Sequence, residues 1–147
     1  MNRAKYWVSR LFPAVAFILL AAASGQGERL FEADSKTSGN SKMDIIIKET
    51  ERRPQVSVIE IKINNAGSSV GSSFFLLCSI RKLAIERGQY HYIVKLEEIP
   101  KRHMMTIAFL ERPDEDISGA GPEFTGITPG KGVIDLEQFA PICGMMK

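Results

Sequence analysis

His91 and His103 are the only imidazoles in this 147-residue chain, so proton-transfer or zinc chemistry has few places to start. A zinc centre needs three or four closely held His, Cys, Asp or Glu ligands. The two histidines lie on successive strands of an expected hairpin. If Glu97 pairs with Arg102 they fall on opposite faces, and a slip of one residue leaves them several positions apart on the same face. A hydrolytic site would instead set His91 or His103 beside a carboxylate from the acidic group Glu111, Asp114, Glu115, Asp116 and Glu123. That group also offers oxygens to calcium, but it lacks the ordered alternation of an EF-hand loop and reads as a solvated acidic loop. The serines cluster in loops with no Gly-x-Ser-x-Gly elbow. The glycine-rich stretch from Gly67 to Ser73 stands between a strand and a helix, where backbone N–H groups bind anions. It lacks the Gly-Lys-Ser/Thr ending of a phosphate loop and reads as a helix cap. Tyr90 and Tyr92 on a sheet suggest a stacking platform for RNA, and charge argues against it below. No residue is therefore assigned a catalytic, cofactor-binding or metal-ligating role.

The elements that would carry these residues follow from hydrophobic periodicity. A short β-branched strand begins at Asp44 with Ile45, Ile46 and Ile47, and a turn follows at Glu51 to Pro54. A second strand, Gln55 to Ile63, sets Ser57, Ile59, Ile61 and Ile63 against Val58, Glu60 and Lys62, so one face is buried. The loop from Asn64 to Ser73 leads to a helix from about Ser72 to Arg87 that stops at Gly88. Its polar side is narrow, made of Ser79, Lys82 and Glu86, and Phe74, Leu76, Leu77, Ile80, Leu83, Ala84 and Ile85 cover most of the rest. Two further strands, Gln89 to Glu97 and Arg102 to Glu111, turn around Ile99, Pro100 and Lys101. With Glu97 opposite Arg102, one face of this hairpin is apolar (Tyr90, Tyr92, Val94, Leu96) and the other, with Ile93 and Lys95, is wet. Residues 113–131 read as a long loop, followed by an element from Val133 to Phe139 and a tail.

The expected architecture is α+β: a ββαββ domain with about four strands in an antiparallel or mixed sheet, one helix on one face and a loop-rich C-terminus. A crossover from the second strand to the third makes those two parallel if they share a sheet. The organisation is residues 1–25 as a signal peptide, 26–42 as a flexible linker and 43–147 as the single domain.

The N-terminal reading rests on Arg3, Lys5 and Arg10, followed by an apolar run from Leu11 to Ala23 and then small residues through Gly25. That run is short of the roughly 20 apolar residues needed to span a bilayer, and the small residues suit a signal peptidase, with cleavage expected between Ser24 and Gly27. The alternative is an uncleaved anchor through residues 6–25, with Tyr6 and Trp7 at the interface. Cleavage removes three positive charges from a chain of net +2, leaving −1. A mature chain of that charge has no basic surface to draw nucleic acid or anionic lipid. In an oxidising compartment the two cysteines, Cys78 and Cys143, are expected to form one disulfide.

The stretch 78–94, a helix ending Glu86-Arg87-Gly88 and passing into Tyr90-His91-Tyr92, resembles small bacterial envelope proteins and lipoproteins of uncharacterised function. Unlike the lipoproteins, this chain has no cysteine near the export junction. The resemblance implies a location in the bacterial envelope, periplasmic or secreted, and no chemistry. The expected function is a non-enzymatic module that binds a protein or envelope component through its sheet edge, wet sheet face or acidic loop. The rival is a small extracytoplasmic hydrolase or ligand-binding enzyme using His91 or His103 with a loop carboxylate.

Overall fold

The computed structural model describes residues 28–39, 42–97 and 103–146. The signal-peptide and anchor segments and the turn at Ile99, Pro100 and Lys101 lie outside the described residues. The chain is α+β, and its sheet is larger than the four strands expected. Six strands, β1 (Glu32–Asp34), β2 (Asp44–Arg53), β3 (Val56–Asn65), β4 (Tyr92–Glu97), β5 (Met104–Leu110) and β6 (Val133–Asp135), form one sheet. Its order is β1-β2-β3-β5-β4-β6, with every neighbouring pair antiparallel. β3 and β4, the strands joined through the helix, therefore run parallel, with β5 between them.

The extra strands come from segments poor in strand formers. β1 lies inside the segment expected to be a linker, and it orders because Phe31 and Ser35 on either side of it are buried. Ser35 N–H donates to the Ile45 carbonyl, and its hydroxyl accepts from Ile45 N–H. β6 pairs with the outer edge of β4, and Leu136 just beyond it is fully buried and donates its N–H to the His91 carbonyl.

The helix α1 runs Ser69–Gly88, three residues longer at its N-terminus than expected. Ser68 caps it by accepting from Gly71 N–H at 3.0 Å, the short polar side chain satisfying a donor that has no partner within the helix. At the other end Gln89 adopts a left-handed conformation, and its N–H closes onto the Ile85 carbonyl. Lys82 and Glu86 face solvent as expected, whereas Ser79 is buried with Phe75, Ile80, Leu83 and Ala84. A second short helix, α2 (Ala140–Met145), closes the C-terminus. Cys78 on α1 is bonded to Cys143 on α2, with Cα atoms 5.4 Å apart.

The β4–β5 register differs from expectation by three residues. Tyr92 stands opposite Leu110 and Glu97 opposite Met105. The odd shift exchanges faces: Ile93 packs with Met105, Ile107 and Phe109 under α1, while Val94, Ala108 and Leu110 join Val56, Ile117 and Phe124 on the other side. The side without the helix is therefore not wet at its centre. Part of the 113–131 loop folds over it through a 3-10 turn at Pro122–Phe124, and Phe124 is completely buried there.

Candidate functional site

The expected site residues are placed as follows. His91 Nδ1 lies 3.1 Å from Glu137 Oε1, and Arg81 Nη2 reaches both oxygens of the same carboxylate at 3.2 and 3.3 Å. The hydrogen bond from His91, joined by that from Arg81, holds Glu137 below the ordinary carboxylate range. The acid comes from the turn after β6 rather than from the expected loop. His91 and Glu137 are about half exposed, so water competes for every contact they make. His103 lies apart from this pair, lining a polar groove of about 610 Å³ with Thr50, Glu51, Arg53, Met104 and Glu123. Arg53 binds Glu123 through both terminal guanidinium nitrogens, which holds that loop carboxyl below its ordinary range and occupies it.

Two further acids of this group hold backbone and neighbouring side chains. Glu115 accepts from Gln55 Nε2 and from Glu111 N–H, both at 2.8 Å. Asp116 accepts from Ser118 N–H, which holds its carboxyl low. Among the described residues, no three His, Cys, Asp or Glu side chains come together in a metal-binding group. Of the 64–73 segment expected to be a loop, only Ala66, Gly67 and Ser68 lie between β3 and α1: Asn64 and Asn65 end the strand, Ser68 caps the helix, and Ser69 to Ser73 are already helical.

A feature missed by sequence reasoning lies beneath β1. Glu49 has a fully buried side chain and continues the inward-facing series Ile45, Ile47. Its Oε1 accepts from Ser57 Oγ at 2.6 Å and from Arg52 Nε at 2.9 Å, and its Oε2 accepts from Arg52 Nη2 at 2.5 Å and from Phe31 N–H at 3.0 Å. Arg87 Nη1 stands 3.6 Å away, its guanidinium lying over the Phe109 ring and donating to the Arg53 and Pro54 carbonyls. Burial works to raise the Glu49 carboxyl, but the hydrogen bonds from Arg52, Ser57 and Phe31 outweigh it and hold the group below its ordinary value. This carboxylate fastens the N-terminal segment to the sheet. The legible sign was an acid at the inward parity of β2, with an arginine three residues on.

The second arrangement missed is a groove of about 980 Å³ between β1, α1 and α2. Ala33, Met43, Phe75, Ile85 and Met146 supply apolar walls, the Cys78–Cys143 bridge lies within it, and Lys82, Glu86, Glu32 and Asp34 stand around it. Among the described residues β1 is the end strand of the sheet, so one side of this groove is an open backbone edge. Phe31 and Ser35 bond toward β2. In an antiparallel ladder the intervening residues point the other way, so the N–H and C=O groups of Glu32 and Asp34 face the open edge. Asp34 C=O accepts from Thr37 and Ser38 hydroxyls, leaving its N–H and both groups of Glu32 at the groove.

No protein-family model, no curated protein and no solved structure matches this chain. The site is defined by its geometry alone: an α+β domain with an apolar, charge-rimmed groove beside an open strand edge.

Proposed function

We propose that this chain is an exported, non-enzymatic binding module of the bacterial envelope, and that it holds its partner in the groove between β1 and α1. The observation that carries the reading is the combination of apolar walls with outward-facing backbone groups of β1 in one groove. The N-terminal charge and hydropathy pattern supports export. The Cys78–Cys143 bond is compatible with an oxidising compartment, and no helix among the described residues is long and apolar enough to cross a membrane.

The hydrolytic alternative draws on the contact between His91 and Glu137. That pair is solvated, shares its carboxylate with Arg81 and lines neither groove, so it lacks the enclosed pocket in which substrate is positioned and water excluded. The binding reading is the stronger.

The test is site-specific photo-crosslinking with the full-length protein in living cells, reading the mature N-terminus by mass spectrometry in the same sample. A photoreactive residue at Ile85 or Lys82 should give a discrete adduct that is absent when the probe is at exposed Arg112. Filling the groove by Ala33→Trp should abolish it. Equal adducts at Arg112, or none at the groove positions, would overturn the reading.

A further inference from the structure

Both cysteines of the chain and two of its six methionines line the groove between β1, α1 and α2. Cys143 and Met146 are spaced i, i+3 across α2 and its C-terminal cap, so their side chains share one side of that helix. That side meets α1, where Cys78 is bonded to Cys143 and its Sγ stands 3.8 Å from Met146 Sδ. Three sulfurs from two elements therefore gather at one point, and all three residues are only partly buried there. Met145, between Cys143 and Met146 in the chain, is 78% exposed and does not line the groove.

An ion held in a plane by three sulfurs at about 2.3 Å each needs sulfur–sulfur separations of about 4 Å. The edge from Cys78 to Met146 already has that length. Opening the bridge carries the other two sulfurs from bonded to non-bonded contact, and with Cα atoms 5.4 Å apart a change of χ1 at either cysteine is enough. Thiolate and thioether donors together select soft ions, and Cu(I) takes the low coordination that three sulfurs supply. Zinc is held by thiolate, imidazole and carboxylate in a set of four. Among the described residues no His, Asp or Glu joins the two cysteines in such a group.

We propose that reduction of the Cys78–Cys143 bridge turns this end of the groove into a Cu(I) site, with the Cys78 and Cys143 thiolates and the Met146 thioether as ligands. The reductant is a dithiol. Its two thiols give up two electrons and two protons and close into a disulfide as the Cys78–Cys143 bond breaks to two thiols. Cu(I) then displaces those two protons to solvent and binds with no change in its own oxidation state. The metal restores the link between α1 and α2 that reduction opened, and the oxidised chain, which has no thiolate, holds none. The site lies in the groove of the binding reading and does not depend on a partner there.

Protein purified from cells, reduced with a phosphine that is then removed, is titrated with Cu(I) under nitrogen against a chromogenic Cu(I) chelator. The reduced chain should hold one Cu(I), the oxidised chain none, and X-ray absorption should show three sulfurs at about 2.3 Å. Met146→Leu keeps the apolar volume and should leave two sulfurs and an affinity weaker by about tenfold or more, whereas Met145→Leu should leave affinity unchanged. Amides of α2 should exchange faster on reduction and slow again with Cu(I), while β2 and β3 stay protected throughout. Failure of the reduced protein to compete with the chelator, or affinity indifferent to Met146→Leu, would overturn the proposal. So would zinc displacing Cu(I) at equal concentration, or a reduced chain whose β2 and β3 lose protection that Cu(I) does not restore. Groove-specific adducts in cells with no Cu(I) held by the reduced protein would sink the metal site and leave the binding reading intact.

Discussion

Glutamine in place of Glu49 changes the shape of the side chain little and removes its charge. The carboxylate has no exposure, Arg87 is 5% exposed and Arg52 14%, so the two guanidinium groups cannot turn freely to water when their partner is lost. All four hydrogen bonds to Glu49 come from donors, and a glutamine turns one of its two terminal atoms into a further donor. In either amide orientation an NH2 group faces a donor that it cannot satisfy. Removing one partner of a buried ion pair costs about 3–5 kcal/mol. That is a large share of the roughly 5–15 kcal/mol by which a domain is stable. With a urea slope of about 1–3 kcal/mol/M, the midpoint of Glu49→Gln should fall by about 2 M. The pH dependence has a definite sign. Because the folded carboxyl is held below its ordinary value of 4.5, its contribution is present above that pH and fades as the pH falls through the folded value. The substitution should therefore flatten the acid side of the stability profile. Hydrogen exchange at the Phe31 amide should rise first, since that N–H is held by the Glu49 side chain. A loss below about 1 kcal/mol, with Phe31 still protected, would refute this account of what holds β1.

Two other outcomes follow from the packing. Phe124→Ala empties a fully buried position on the face opposite α1 and should cost about 3–5 kcal/mol in chemical denaturation, with limited proteolysis appearing in residues 113–131. Cys78→Ser with Cys143→Ser opens a bridge of sequence separation 65, a loss of about 4 kcal/mol in the chain-entropy model, and should release exchange in α2 and β6 before β2 and β3.

The sequence made some elements legible and hid others for physical reasons. The β-branched run Ile45 to Ile47 placed the start of β2, the alternation from Ser57 to Ile63 placed β3, and the long apolar run ending at Gly88 placed α1; the expected turn at Glu51 to Pro54 is instead strand through Arg53, because Glu51, Arg52 and Arg53 pair with Val58, Ser57 and Val56. Register in the β4–β5 hairpin was not legible. Every residue of β5 from Met105 to Leu110 is buried, and β4 buries Ile93 on one face and Val94 on the other. Alternation selects a register only when one face is wet. β1 was hidden because its anchors are tertiary: a Glu49 oxygen and a Ser35 hydroxyl replace the usual strand propensities. The groove draws on segments as far apart as Ala33, Phe75 and Met146, and no local spacing could announce it. The cysteine pairing needed only the count of two and an oxidising compartment.

The strand order also bears on how the chain reaches this state. β2 with β3 and β4 with β5 are each antiparallel neighbours in sequence, so two hairpins can close locally within microseconds. The sheet becomes continuous only where Val56 to Glu60 meet Met104 to Ala108, strands that α1 and β4 separate along the chain. That seam carries the long loop-closure entropy, and α1 is tethered to one of its two sides. Ile59, Met105 and Ile107 lie at the seam and on the face that α1 covers, so docking of the hairpins and seating of the helix bury the same side chains. The centre of the sheet thus joins two hairpins that are each local in sequence, and the short strands β1 and β6 occupy its outer edges.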